Sequence, residues 1–181
     1  MINPLIIHNR SLFKNKGFSL VEMLLYISIL TVILTVIANA LYSLNRSYRV
    51  IQSAEIIESS AITSLDRMVR EIRDASSVDN LQSTFNTSPG VLTLNTTDDS
   101  GANMTIQFFV SNQIVRVKEN GVDIGPLTDF STRVTNLVFR FITTAQSKAL
   151  KIEMTIESGQ GLNYKSKKFY STAVLRGSYV P

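Results

Sequence analysis

Lys14-Asn15-Lys16-Gly17-Phe18-Ser19-Leu20-Val21-Glu22 leads directly into MLLYISILTVILTVIANALYSLN, residues 23–45, a run with no charged side chain. A helix needs about 20 apolar residues to cross a bilayer, so this run is long enough to span one. Lys14 and Lys16 precede it, and the positive-inside rule keeps such a flank cytoplasmic and sends the remainder outside. Tyr42, Arg46, Tyr48 and Arg49 follow, amphipathic side chains suited to the outer interface.

Three readings compete for this segment. An ordinary signal peptide would use Ala38-Asn39-Ala40 as a small-residue cleavage site and leave Leu41 at the new N-terminus. Its basic region is long for that class, and its apolar stretch lies at the upper limit. A plain, uncut membrane anchor is the second reading. Neither accounts for Glu22, an acid one turn into an otherwise apolar helix. A charge at the bilayer centre costs about 2.5–3.5 kcal/mol on insertion scales and less near an interface, so an intramembrane carboxylate points to a function and a partner.

Lys16-Gly17-Phe18-Ser19-Leu20-Val21-Glu22 and the apolar run after it resemble the prepilin signal of type IV pilins and type II secretion pseudopilins. Residue types, spacing and hydrophobic context agree at once. The resemblance implies cleavage after Gly17 by a prepilin peptidase, with Lys14 and Lys16 holding the leader at the cytoplasmic face. Glycine suits the cut position, because a residue without a side chain lets another backbone approach. Phe18 would become the N-terminus and be N-methylated by the same enzyme. Its α-amine, of a class titrating near pH 7.7–8, would be mostly cationic at neutral pH. Glu22 of one subunit would pair with that amine on a neighbour, and only one axial offset satisfies both charges. The implied partners are that peptidase and methyltransferase, other pilin or pseudopilin subunits, an inner-membrane assembly platform, and lipid before assembly. The implied location is the inner membrane, crossed once with the leader inside, and then a filament.

Composition narrows the function from another side. The chain of 181 residues carries a formal charge of +4, but Arg10, Lys14 and Lys16 fall in the first 17 residues, which hold no acid. Beyond them stand 15 basic and 14 acidic residues, so a global electrostatic case for nucleic acid fails. There is no cysteine, and the one histidine, His8, lies in the same leader. A chain starting at Phe18 has no Ser-His-Asp or Cys-His system and no His- or Cys-ligated zinc. The expectation is a structural protein with no catalytic residue, no metal site and no cofactor.

Neither Pro nor Gly occurs between Phe18 and Asp79, so the helix is expected to continue for roughly 60 residues. Ile62, Leu65, Val69 and Ile72 recur at helical steps and predict an apolar stripe. Asp66/Arg70, Arg67/Glu71 and Arg70/Asp74 are pairs four apart on a face read as solvated. After Ala75 the chain turns polar and then strand-like: Val91–Asn95, Met104–Val110, Gln113–Lys118, Val134–Thr143, Leu150–Glu157 and Tyr164–Arg176. Ser111-Asn112 and Asn120-Gly121 mark turns. The fold class is α+β, with one long N-terminal helix packed on a C-terminal antiparallel sheet domain in a pilin-like layout. The expected divisions are a leader over 1–17, a transmembrane and assembly helix over 18–45, its amphipathic continuation over 46–77 and the sheet domain over 78–181.

The order of elements is also similar to that of J-type pseudopilins and PilW-like minor pilins. That likeness rests on Leu65-Asp66-Arg67-Met68-Val69-Arg70-Glu71-Ile72-Arg73, Val134-Thr135-Asn136-Leu137-Val138-Phe139-Arg140-Phe141 and Thr172-Ala173-Val174-Leu175-Arg176-Gly177. Major pilins often carry a proline near the position of Asn39, and its absence leans toward a minor subunit. Two further constellations are weighed. Asp98-Asp99-Ser100-Gly101-Ala102-Asn103 lacks the spaced ligands of an EF-hand and reads as a solvated turn. Tyr164, Lys165, Lys167, Lys168, Phe169 and Tyr170 interleave bases with aromatics, which would suit single-stranded DNA in an uptake pilus, against the simpler reading of a half-exposed strand.

Overall fold

The computed structural model describes residues 17–98, 100–143 and 147–176. It contains one α-helix, α1 (Leu20–Asp74), of 55 residues, followed by antiparallel strands. The chain divides into two units, Met1–Leu44 and Asn45–Pro181.

In the first unit every described side chain is exposed. The helix nevertheless has few polar demands. Ser28, Thr31 and Thr35 each donate a hydroxyl hydrogen bond to the carbonyl four residues back, all at 2.8 Å. These three hydroxyls are thus satisfied within the helix itself, as a hydrocarbon environment would require.

In the second unit α1 buries one stripe: Ile57, Ser60, Ala61, Ser64, Leu65, Met68 and Ile72. This corrects the expected stripe. Leu65 and Ile72 are buried and Val69 is half-buried, but Ile62 is 56% exposed. The contact face is rotated toward small residues. Ser60, Ala61 and Ser64 let strands come close, and Ser64 satisfies its hydroxyl by donating to the Ser60 carbonyl at 2.7 Å. The charged face is also less solvated than its sequence suggests. Arg67 lies 2.8 Å from Glu71 and reaches Glu119 at 3.2 Å, and the Glu71 side chain is only 14% exposed. The Arg67 Nε–Glu71 contact is a charge contact without hydrogen-bond alignment. Burial pushes the Glu71 carboxyl up, against the pull of Arg67. Among the described residues Asp66–Arg70 and Arg70–Asp74 form no ion pair, and these groups line a shallow open hollow.

The helix hands over directly to the sheet. Ala75 N–H donates to the Glu71 carbonyl, and Ser76 N–H already donates to Asn95. The first sheet holds β1 (Ser77–Val78), β2 (Leu92–Thr97), β3 (Asn103–Ser111), β4 (Ile114–Glu119) and β5 (Val122–Pro126), in sequence order. The second holds β6 (Thr132–Thr143), β7 (Lys148–Ser158) and β8 (Lys165–Val174). The single expected sheet is therefore two, each an antiparallel meander. β1 and β5 carry little strand signal: two residues in a polar stretch, and a short exposed edge containing Gly125 and Pro126. The β4–β5 hairpin turns on Asn120-Gly121, at φ 49° and 81°, as a two-residue loop of this kind requires. The β3–β4 turn falls on Asn112-Gln113, one residue later than expected, with both residues at positive φ.

One core joins the helix to both sheets. It unites Ile57, Ala61, Leu65, Met68 and Ile72 with Leu92, Leu94, Ile106 and Phe108 of the first sheet. From the second sheet come Leu137, Phe139, Leu150, Ile152, Met154 and Ile156. The β6 edge is closed by the loop between β1 and β2, where Asn86 and Gly90 N–H groups donate to the Phe139 and Leu137 carbonyls. On the outer face of the second sheet Arg140 grips Glu153 with two hydrogen bonds, at 2.9 and 3.2 Å. Lys151 adds a third contact at 2.8 Å and lies 5.3 Å from the centre of the Tyr170 ring. The hydrogen bonds from Arg140, and after it Lys151, hold the Glu153 carboxyl down at about 2.

Two outcomes follow from these contacts. Gly159 sits at φ +79°, where an added Cβ would lie 2.2 Å from the Asn163 carbonyl oxygen. Gly159→Ala is expected to cost about 2 kcal/mol or more, from the strained backbone and the clash. Thermal unfolding of the full chain in detergent checks this, and an unchanged midpoint counts against the turn. Glu153, with a depressed folded-state pKa, contributes stability present above its unfolded value near 4.3 and lost as pH falls toward about 2. Glu153→Gln should lower the midpoint at pH 6, and its deficit against the parent chain should shrink between about pH 4 and 2.

Candidate processing and assembly site

Phe18 and Ser19 precede α1, and Leu20 is its first residue. The Ser19 carbonyl accepts the Met23 N–H at 3.1 Å, so Ser19 stands at the cap position. Glu22 falls in the first turn, where unpaired N–H groups give the helix end a partial positive charge that favours an acid.

Gly17 is exposed and outside any helix or strand, and a Cβ built on it meets nothing within 4 Å. The backbone here is open to an approaching partner. Phe18 is 74% exposed, and its ring meets Tyr26 edge-on with centroids 6.1 Å apart. Tyr26 also donates its hydroxyl to Glu22 Oε1 at 3.3 Å. Phe18, Glu22 and Tyr26 thus occupy one line at four-residue spacing. The sequence-predicted Phe18 and Glu22 share that line, and Tyr26 is the member that sequence reasoning missed. Its only signal is a phenol four residues beyond an intramembrane acid, the spacing at which helix side chains meet. Lys14 and Lys16 lie outside the described residues.

The strand considered for single-stranded nucleic acid is β8. Strand alternation divides its side chains between two faces. Lys165, Lys167 and Phe169 share parity with the buried Ala173, and Lys167 is ion-paired to Glu58 of α1. Lys168 and Tyr170 stand on the opposite face, and Tyr170 takes the Lys151 cation against its ring. Bases and aromatics therefore form no single stacking platform. Asp98 accepts hydrogen bonds from the Ser100 hydroxyl and from the Ser100 and Ala102 N–H groups, and the Ser100 hydroxyl foremost holds its carboxyl low. These are the bonds of a self-contained turn. Asp99 lies outside the described residues.

The family model described as the prokaryotic N-terminal methylation motif matches residues 12–38, a span holding Gly17, Phe18, Glu22 and Tyr26. No curated protein and no solved structure matches the chain. The methylation motif runs into an apolar stretch in which every described side chain up to Leu44 is exposed; in this the N-terminus is similar to that of type IV prepilin-like chains, and the motif supports membrane anchoring, processing by a prepilin peptidase and assembly with other pilins.

Proposed function

We propose that this chain is a minor pilin or pseudopilin, a structural subunit of a type IV pilus or type II secretion-type filament rather than an enzyme. The observation that carries this reading is the coincidence of the methylation motif at 12–38 with an apolar helical segment whose described side chains are all exposed. Such a surface needs a bilayer or a bundle of like helices, and a subunit of this kind uses both in turn. The precursor inserts with residues 1–17 inside and the sheet domain outside. Prepilin peptidase cuts after Gly17, and the new Phe18 amine receives a methyl group. The apolar segment over 18–45 then leaves lipid for a bundle of neighbouring helices. Glu22 meets the Phe18 amine of the next subunit, and that pair sets axial register.

The minor-subunit assignment draws on the unbroken helix, with no proline between Phe18 and Asp74. The uptake-pilus alternative, with β8 as the DNA surface, is the weaker reading because its bases are divided between faces.

N-terminal sequencing and intact mass, from cells with and without a prepilin peptidase, test the reading. The expected product begins at N-methylated Phe18 and disappears without the peptidase. A start at Leu41, or an uncut chain in peptidase-positive cells, overturns it. Glu22→Ala should leave cleavage intact and reduce the sheared filament fraction at least tenfold, since removing one partner strands the other's charge in low dielectric.

A further inference from the structure

We infer that Tyr26 is the positioning residue for the assembly carboxylate: its hydroxyl holds Glu22 Oε1 while the helix is in lipid and leaves the other oxygen open for a neighbour's amine. The inference rests on the reading of Glu22 proposed above and adds a residue to it. The geometry begins with the 3.3 Å bond from Tyr26 to Glu22 Oε1. Ser19-Leu20-Val21-Glu22 has the spacing of a capping box, in which the acid at the third helical position turns back to the cap N–H. Glu22 instead directs Oε1 forward, toward the phenol one turn on.

That choice has a chemical consequence in a membrane. A carboxylate has about four acceptor sites and no water in hydrocarbon to fill them. A phenol suits a waiting role, because it donates one hydrogen bond and carries no charge. At 3.3 Å the contact is longer than the usual 2.7–2.8 Å, so it orients the group without closing it to a stronger donor. A cationic amine is such a donor, since charge-assisted hydrogen bonds are the stronger kind. The Phe18 ring against the Tyr26 edge adds a second tie, between the same phenol and the residue that would carry the amine. A single side chain thus touches both halves of the register pair on one subunit.

Tyr26→Phe keeps the ring and removes the hydroxyl. In the full chain, in its own membrane, the variant is expected to be inserted and cut normally and to lose roughly threefold in the sheared filament fraction, the scale of one side-chain hydrogen bond within a bilayer. The direct readout is the Tyr26 Cζ resonance of 13C-labelled full-length chain in vesicles, which should move on Glu22→Gln. A Cζ signal indifferent to Glu22→Gln overturns the contact. A responsive Cζ signal with parental assembly of Tyr26→Phe overturns the positioning role. If Glu22→Gln itself assembles at the parental level, the register reading falls and the role of Tyr26 with it. That result is distinct from the case in which Glu22→Gln blocks assembly and Tyr26→Phe does not.

Discussion

An α-helix pairs its own backbone groups, and that self-sufficiency lets α1 serve two different solvents. Over the first unit its apolar side chains are exposed on every side, and the Ser28, Thr31 and Thr35 hydroxyls bond back to the same helix. Over residues 57–72 the same helix shows a single stripe and is covered by strands. The change from all-round exposure to one-sided burial within one element separates the apolar N-terminal segment from the part that packs in the domain.

The domain is assembled around that stripe. Small residues at 60, 61 and 64 bring the second sheet close, so that Ser64 lies 3.9 Å from the Met154 sulfur. Larger residues at 57, 65, 68 and 72 fill the remaining volume together with Phe108 and Phe139. Arg67, shared between Glu71 and Glu119, ties the helix to the first sheet. Lys167 and Glu58 tie it to the second. The charges that sequence spacing assigns to solvent therefore help join the helix to the strands.

Much of this was legible in the sequence, and the exceptions share a cause. The length of α1, the order of the longer strands and the Asn120-Gly121 turn follow from periodicity and turn chemistry, which are local. The rotation of the buried stripe was not legible, because Ser60, Ala61 and Ser64 do not register as apolar although their smallness is what the contact needs. The division into two sheets depends on which strands pair, and pairing is non-local. β5 escapes detection because its Gly and Pro are the residues an exposed edge uses. At the candidate site, residue type and spacing identify Gly17, Phe18 and Glu22, whereas Tyr26 emerges only once the side chains have directions.

The contacts that close the core have a bearing on synthesis. Ser64 meets Met154 across 90 positions, and Glu58 meets Lys167 across 109. The helix is made first, yet its apolar stripe has no cover until both strands have emerged. Until then the stripe is an unpaired apolar surface for the time it takes to make about a hundred residues. High sequence separation slows folding and prolongs exposure to wrong partners. The early emergence of the helix thus makes closure of the core the step at which this fold is most open to wrong partners.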